Sequence, residues 1–292
     1  MRIKSSIGSR IFDSFNVIGL CLFSVLIMLP VVNVVSASFS SEQALTKSRV
    51  SFWPVDFHYG NYEAVMENSV FWNAFLVTIC VVVMGTLTNL VLTVSAAYPL
   101  SRRFLRGRKP ILMGILFTMI FQAPLIPTYL LIKNLNLMDS IWALFVPMAC
   151  GAFNVMLCMT FLRVNVPEEL LEAAKVDGMS EYGIVAKIVV PLSMPIIMTL
   201  MLFSAVSLWN NYMLALLYIT EARLRPLQLY LYQLISQGNM MEYADVIDTA
   251  TSSSPIGIQM ATVVISTLPI VVVYPFIQKH FIKGALLGSI KE

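Results

Sequence analysis

Charged residues are scarce in this sequence. Only 12% of its 292 residues are Asp, Glu, Lys or Arg, about half the fraction usual in soluble globular domains. The sequence also lacks a glycine-rich phosphate-binding loop followed by Lys and Ser or Thr, which excludes ATP hydrolysis by that route. Its two histidines, His58 and His280, have no ligand or nucleophile set beside them. We therefore predict that this chain is not an enzyme and has neither catalytic residues nor a metal site.

Cysteine is also rare. The four cysteines, Cys21, Cys80, Cys150 and Cys158, all fall in apolar runs and show no metal-ligand spacing. Because a free cysteine packs as a small apolar side chain, we predict four core residues within helices and no disulfide.

Apolar residues fill the chain instead, at 58% of the total. A helix needs about 20 apolar residues to cross the hydrocarbon core of a bilayer. Six runs meet this length without the alternation of transmembrane strands, which favours helices. We predict one all-α membrane domain over residues 1–292. Its six predicted spans are 11–36, 70–99, 111–132, 141–162, 196–220 and 256–278.

Basic residues mark the two sides of the predicted membrane. All but five of the 19 lie on the side of the N-terminus, so the excess of positive charge inside predicts that both termini are cytoplasmic. The five on the outer side are Lys47, Arg49, Lys133, Arg223 and Arg225. A cleaved signal peptide is the alternative interpretation of the first run, which is too long for one.

Ionisable residues are almost absent from the predicted spans, with Asp13 the one within a span. Since a proton-driven carrier usually needs buried ionisable groups, uphill transport would have to take its energy from a partner. The polar residues in the spans are neutral, and they could bond neighbouring helices or line a wet pathway. They are Asn73, Asn89, Gln122, Asn154, Asn210, Asn211 and Gln259.

Two outer loops are long. The first, 39–69, is predicted to contain a short helix that Asn61 caps and that runs through Asn68. The second, 221–254, leads to Pro255, which suits the first position of the sixth span.

The inner loop at residues 163–195 is patterned as two short helices. Pro167 suits the first helical position, and Asp177-Gly178 is predicted to end the first helix. Ser180 is predicted to cap a second helix that ends at Pro191. Leu170, Leu171 and Ala174 form an apolar strip. Because a mere connection would not need this organisation, we expect the loop to dock against another element.

Within this loop, the sequence Glu172-Ala173-Ala174, then Gly178, then Ile188 through Pro191 resembles the EAA signature of ABC importer permeases. Val190 stands where that signature usually has Leu. Segments 52–62 and 274–288 resemble the carbohydrate branch, the maltose-type second permease, and the overall pattern resembles permeases for large oligosaccharides such as alginate. We call residues 163–195 the EAA loop.

The resemblance implies that 168–176 is a coupling helix that enters a cleft on an ATPase subunit. It implies a bacterial inner-membrane complex with a homologous permease, two ATPase subunits and an extracytoplasmic binding protein, which the outer loops would meet. This chain would contact lipid and carbohydrate but no nucleic acid, and would bind no cofactor, with ATP and Mg²⁺ held by the ATPases. The implied coupling residues are Glu168, Glu169, Leu171, Glu172, Ala173, Ala174, Asp177, Gly178 and Met179.

The candidate substrate residues lie in the fifth and third predicted spans. Aromatic faces stack on sugar rings, and amides bond hydroxyls in both directions. Ordinary helix packing is the alternative role for these residues, which are Trp209, Asn210, Asn211, Tyr212, Gln122 and Tyr129. Alternatives for the whole chain are a permease for a non-sugar solute, a passive channel and a membrane-embedded enzyme.

Overall fold

All regular secondary structure in the described chain is helical. The computed structural model describes residues 7–236 and 254–289, and at positions 7, 9, 10, 274 and 276–289 it describes the backbone alone. Within these ranges no β-strand occurs, so the all-α prediction is confirmed. Most of the predicted outer loop 221–254 lies outside the described residues, as do the side chains of nearly all of the 274–288 tail.

The α-helices are α1 (Ile7–Ser38), α2 (Glu42–Thr46), α3 (Gly60–Glu67), α4 (Ser69–Ser101), α5 (Arg108–Ile120), α6 (Leu125–Asn134), α7 (Ala152–Asn165), α8 (Glu168–Val176), α9 (Glu181–Ile184), α10 (Val190–Leu192), α11 (Met194–Trp209), α12 (Met213–Tyr218), α13 (Leu227–Ser236) and α14 (Pro255–Ser289). Three short 3₁₀ turns (Ile141–Leu144, Val146–Met148 and Ala222–Leu224) and a π-helical turn (Val185–Val189) complete the regular elements of the described residues.

Three helices in the described chain are each long and apolar enough to cross a membrane. They are α1 from Ile11, α4, and α14 as far as Val273. Three further pairs of elements meet the same test together but bend at a short break: α5 with α6 by 113°, the 3₁₀ turns 141–148 with α7 by 53°, and 181–192 with α11 by 83°. The structure therefore allows three to six spans.

Proline or glycine stands at two of the breaks. Pro124 precedes α6, and Gly151 precedes α7. The predicted fifth span, 196–220, is also interrupted, because α11 ends at Trp209 and α12 begins at Met213. Backbone groups freed at such breaks must be satisfied by protein or water, since lipid offers no partners.

The described residues divide into two compact units, one within Met1–Ser69 and Gln233–Leu268 and the other within Val70–Tyr232 and Pro269–Glu292. The second unit has a core in which α4, α7, α9 and α11 meet. Its most deeply buried members include Ala97, Leu162, Ile184 and Leu200. The EAA loop packs onto this core.

In the first unit, Asn61 holds the end of α1. Its Nδ2 donates to the carbonyls of Ser38 at 3.0 Å and Ser40 at 3.2 Å. The prediction that Asn61 caps α3 is wrong, because Asn61 lies inside the helix, which ends at Glu67. A Cβ on Gly257 would come within 2.6 Å of the Asn61 amide, so glycine permits this close approach. The predicted start of a helix at Pro255 is confirmed.

The cysteines differ from the prediction. Cys158 is buried in α7, as expected, but Cys21, Cys80 and Cys150 are exposed. Cys150 also lies outside any helix, in the bend before α7. Apolar sequence does not imply burial within a membrane chain, because lipid or a partner subunit covers an apolar surface equally well.

Candidate functional site: the EAA loop

The first helix of the EAA loop, α8, forms where it is predicted, but it starts one residue later, at Glu168. Pro167 lies one position before the first helical residue, and two acidic side chains, Glu168 and Glu169, occupy the first turn, where the helix dipole favours negative charge. Asp177 follows the last helical residue. Gly178 then adopts φ +80°, a conformation that glycine reaches without strain. The Met179 N–H donates to the Ala174 carbonyl at 3.0 Å and closes the helix end.

Two faces of α8 differ in their surroundings. Leu171 and Ala174 are buried, whereas Leu170 is partly exposed, so the predicted apolar strip is split between the two faces. The exposed face follows the spacing i, i+3, i+4 and i+7 of a single helix stripe. Its members are Glu169, Glu172, Ala173 and Val176. We call these four residues the exposed stripe.

The buried face ties α8 to the rest of the chain. Leu171 and Ala174 belong to the core cluster that contains Leu162 of α7, Ile184 of α9 and Leu200 of α11. Close-packed protein interiors have low compressibility and transmit displacement. A push on α8 will therefore reach α7 and α11 through side-chain contacts.

Polar and charged side chains contact one another beside α8. Lys175 Nζ lies 2.6 Å from Glu181 Oε1, and Tyr98 Oη donates to Glu181 Oε2 at 3.3 Å. The hydrogen bond between Lys175 and Glu181 lowers the pKa of Glu181 and raises the pKa of Lys175. The Arg102 guanidinium lies 5.0 Å from the centre of the Tyr98 ring, and burial lowers the pKa of Arg102. The EAA loop does not contain Tyr98, which lies near the end of α4, or Arg102, which directly follows α4.

The second helix also follows the prediction at its start. Ser180 precedes α9, and its hydroxyl accepts the Gly183 N–H at 3.2 Å. The chain then widens into the π-helical turn before Pro191. Proline has no N–H to donate to the carbonyl four residues earlier, so this stretch cannot form a complete α-helical pattern. The structure thus adds a π turn that the sequence pattern did not predict.

The candidate substrate residues of the fifth predicted span contact other residues of the described chain. Trp209 is 6% exposed and packs edge-on against Phe75, with ring centroids 6.1 Å apart. Asn210 donates to the Val206 carbonyl of its own helix at 2.9 Å. The side chain of Asn211 accepts the Leu214 N–H, in the first turn of α12, at 3.0 Å.

The remaining candidates are aromatic or lie in a break. Tyr212 stacks on Tyr232 with centroids 4.9 Å apart, and Tyr129 stacks on Tyr218 at 6.1 Å. Gln122 is exposed in the bend between α5 and α6. Direct contact of these residues with a substrate stays a prediction.

The EAA loop lies within the part of the chain that matches a known protein family. Residues 104–286, which include the EAA loop, match the family described as binding-protein-dependent transport system inner membrane component. The chain belongs to this family. It is therefore a transport permease subunit, and we refer to it below as the permease.

Individual relatives cover nearly the whole permease. It is 40% identical over 285 residues to the polygalacturonan/rhamnogalacturonan transport system permease protein YtcP of Bacillus subtilis, covering 97% of this chain and 99% of the relative. It is also 40% identical to protein LplC of the same organism, covering 97% and 96%. The solved structure of a bacterial ABC transporter involved in the import of the acidic polysaccharide alginate contains a chain with a TM-score of 0.89, 34% identity, and coverage of 96% and 99%.

These relatives confirm the resemblance drawn from the EAA signature to ABC importer permeases of the carbohydrate branch. The relatives are transport permease subunits and not enzymes. The functional roles of individual coupling residues stay predictions.

Proposed function

We propose that the permease is one of two membrane subunits of an ATP-driven importer for oligosaccharides of an acidic polysaccharide, such as alginate. The observation that carries this proposal is the likeness of the whole fold to a chain of the alginate importer, at 34% identity. The named substrate of the relative YtcP, polygalacturonan, is likewise a polymer of acidic sugars.

The proposed complex contains a homologous permease, two ATPase subunits and an extracytoplasmic binding protein, in a bacterial inner membrane. The permease would cross that membrane six times with both termini in the cytoplasm, as the distribution of basic residues predicts. It would bind no cofactor of its own, and ATP and Mg²⁺ would bind in the ATPase subunits.

The EAA loop offers a surface suited to an ATPase. Val176 is 87% exposed at the end of the exposed stripe, and Tyr182 of α9 is 89% exposed. The ATPase cleft would bury these two side chains. The acidic groups of the stripe, Glu169 and Glu172, would meet basic residues of the cleft.

Coupling would then follow from the packing. Closure of the ATPase pair would displace α8, and the buried contacts of Leu171 and Ala174 would pass this displacement to α7 and α11. These two helices flank the EAA loop in sequence, and both belong to bent pairs of elements. Their movement would switch the pathway between its two sides.

ATP hydrolysis by the assembled complex tests the proposal. It is measured with and without the binding protein and an alginate oligomer, for the native permease and for Glu172→Ala. The matched control is Asp13→Ala, which removes an exposed carboxylate of α1 that lies outside the EAA loop and outside the outer loops. We expect at least a tenfold loss of sugar-stimulated hydrolysis for Glu172→Ala at equal assembly, and no change for the control.

Gly178 gives a second variant. Alanine is strained at φ +80°, whereas asparagine tolerates the left-handed conformation better. A Cβ at this position would contact nothing within 4 Å, so strain is the main difference. We expect Gly178→Ala to impair coupling more than Gly178→Asn. Normal stimulated hydrolysis in both Glu172→Ala and Gly178→Ala would overturn the coupling role of the loop.

A further inference from the structure

A cavity of about 400 Å³ lies at the bend before α7. Residues of α4, α7 and α11 line it together with the turn 146–151, all within the second compact unit. Four of its lining side chains carry amide or hydroxyl groups and none is charged. They are Asn89, Asn154, Ser204 and Ser207. We call this space the amide cavity.

Asn89 forms the fixed floor of the amide cavity. It is 4% exposed, and its Oδ1 accepts hydrogen bonds from Ser204 at 2.8 Å, Thr93 at 3.4 Å and Asn154 at 3.5 Å. Its Nδ2 donates to the Met148 carbonyl at 3.2 Å. Because Asn89 is buried and its Oδ1 already accepts three hydrogen bonds, it positions the other side chains rather than offering this oxygen to a ligand.

Asn154 and Ser207 have spare hydrogen-bonding capacity. Apart from the long bond to Asn89, the Asn154 side chain has no partner among the described residues, so its Oδ1 and one N–H are available. The Ser207 hydroxyl also has no partner in the described part of the chain, and this residue is exposed. The two side chains thus present both donors and acceptors, the pattern that sugar hydroxyls match.

The rim of the amide cavity adds aromatic surface. Phe153 and Phe203 line the cavity and are exposed. Aromatic faces pack against the C–H faces of sugar rings, while adjacent polar groups fix the orientation. The first hydrogen bond of α7 joins Val155 N–H to the Gly151 carbonyl, so the N–H groups at the start of α7 are also without helical partners.

We propose that the amide cavity is a saccharide subsite of this subunit, which binds sugar hydroxyls through Asn154 and Ser207 and does not recognise carboxylate groups. The inference rests on the proposed import of an oligosaccharide. It assigns recognition of acidic groups to other subunits, because a lining without cations gives a carboxylate no opposite charge.

Transport by the complete complex in proteoliposomes tests this division. The probes are a galacturonate tetramer and its methyl ester, which keeps the hydroxyls and removes the charges. We expect Asn154→Leu to lower transport of both probes by the same factor, about tenfold. The control Thr160→Leu changes an exposed polar residue of the same helix that bonds to its own backbone and lies outside the cavity lining, so it should transport both probes normally.

A charge placed in the amide cavity sharpens the test. Asn154→Asp introduces a carboxylate that repels the free acid but not the ester. We expect transport of the acid to fall at least fivefold more than transport of the ester. Two results would overturn the proposed neutral recognition. One is an equal loss of transport for both probes with Asn154→Asp, and the other is a selective loss of acid transport with Asn154→Leu.

The rate of chemical labelling at Cys150 measures whether a sugar occupies the amide cavity, because Cys150 lines the cavity and is exposed. A permease that retains Cys150 and has Cys21, Cys80 and Cys158 replaced by Ser is treated with a small water-soluble methanethiosulfonate reagent. We expect the esterified tetramer at saturation to slow labelling at least fivefold. In the matched variant that retains only Cys80, which does not line the cavity, the sugar should have no effect.

Failure of this inference is distinguishable from failure of the proposed function. If native complexes transport the tetramer but labelling of Cys150 is not slowed and Asn154→Leu transports normally, the subsite is wrong and the import function stands. If native complexes neither transport oligosaccharides nor raise ATP hydrolysis in their presence, the proposed function is wrong.

Discussion

Helices α1 and α4 are similar in length and composition but differ in their packing. Both are long, apolar and free of charged residues through most of their length. None of the most apolar 18-residue stretch of α1 is buried, whereas 33% of the corresponding stretch of α4 is buried. Hydropathy therefore locates both helices without indicating which one packs inside the chain.

The difference lies in small and polar residues. The buried positions of α4 include Gly85 and Asn89, which permit close approach and hydrogen bonding between helices. In lipid such residues stabilise helix association, because apolar side chains are as well accommodated by lipid as by protein. The apolar surface of α1 is free to contact lipid or a partner subunit.

The largest expected effect comes from glycine replacement. A Cβ at Gly85 would come within 2.6 Å of Leu208 and 2.8 Å of Phe145, whereas Gly19 of α1 has nothing within 4 Å. We expect Gly85→Leu to lower the free energy of unfolding by about 3 kcal/mol, measured by SDS-induced unfolding of the purified permease. Gly19→Leu should have no effect on the isolated chain. A cost for Gly19→Leu that appears only in the assembled complex would place a partner on α1.

Replacement of Asn89 should give the second largest loss in the free energy of unfolding. Asn89→Leu removes the hydrogen bonds that join α4 to Ser204 and to the Met148 carbonyl, and it leaves those partners unsatisfied. We expect a loss of about 1–2 kcal/mol in the same unfolding measurement. Asn16→Leu, at an exposed position of α1, should be neutral. Equal results for the two variants would contradict the packing role of Asn89.

A smaller effect is expected for serine. Ser204 donates to Asn89 of another helix at 2.8 Å, while Ser24 donates to the Leu20 carbonyl of its own helix at 2.8 Å. We expect Ser204→Ala to cost about 0.6 kcal/mol, the average for hydrogen bonds between membrane helices. Ser24→Ala should cost nothing measurable. A larger loss for Ser24→Ala would mean that bonds within a helix matter more here than bonds between helices.

The smallest effect is expected outside the spans, at the exposed ion pair of Lys175 and Glu181. Lys175→Met should cost at most about 0.5 kcal/mol and only at low salt. Because the pKa of Glu181 is lowered, the stabilisation from the ion pair is lost as pH falls through this pKa, below the ordinary value of 4.5. The raised pKa of Lys175 means that it is also lost as pH rises through that pKa, above 10.5. The free energy of unfolding of the native and Lys175→Met permeases, measured across this pH range, gives the size of this stabilisation. Lys187→Met, at an exposed position, is the control.

Much of the EAA loop could be predicted from sequence. The stop at Gly178 and the cap at Ser180 depend on residues within one or two turns, so a local pattern contains the necessary information. The role of Asn61 could not be predicted in this way. Its side chain bonds to the carbonyl of Ser38, 23 residues away, instead of capping its own helix.

The amide cavity illustrates the same limit. Asn89 and Asn154 stood out as neutral polar residues within apolar runs, but nothing local connected them with Ser204 or Ser207. Asn89 and Ser204 are 115 residues apart in sequence and 2.8 Å apart in the fold. Their meeting depends on the bend before α7 and on the packing of α4 against α11.

The sequence by itself determined that this protein is helical, where its apolar helices lie, and which loop carries the EAA signature. These properties depend on composition and on residues near one another in the chain. The tertiary structure alone decided that a third of the most apolar stretch of α4 is buried while none of the corresponding stretch of α1 is, and that two asparagines and two serines line one cavity. The physical reason is that helix association in lipid depends on close fit and hydrogen bonds between distant residues, to which the hydropathy of a segment contributes little.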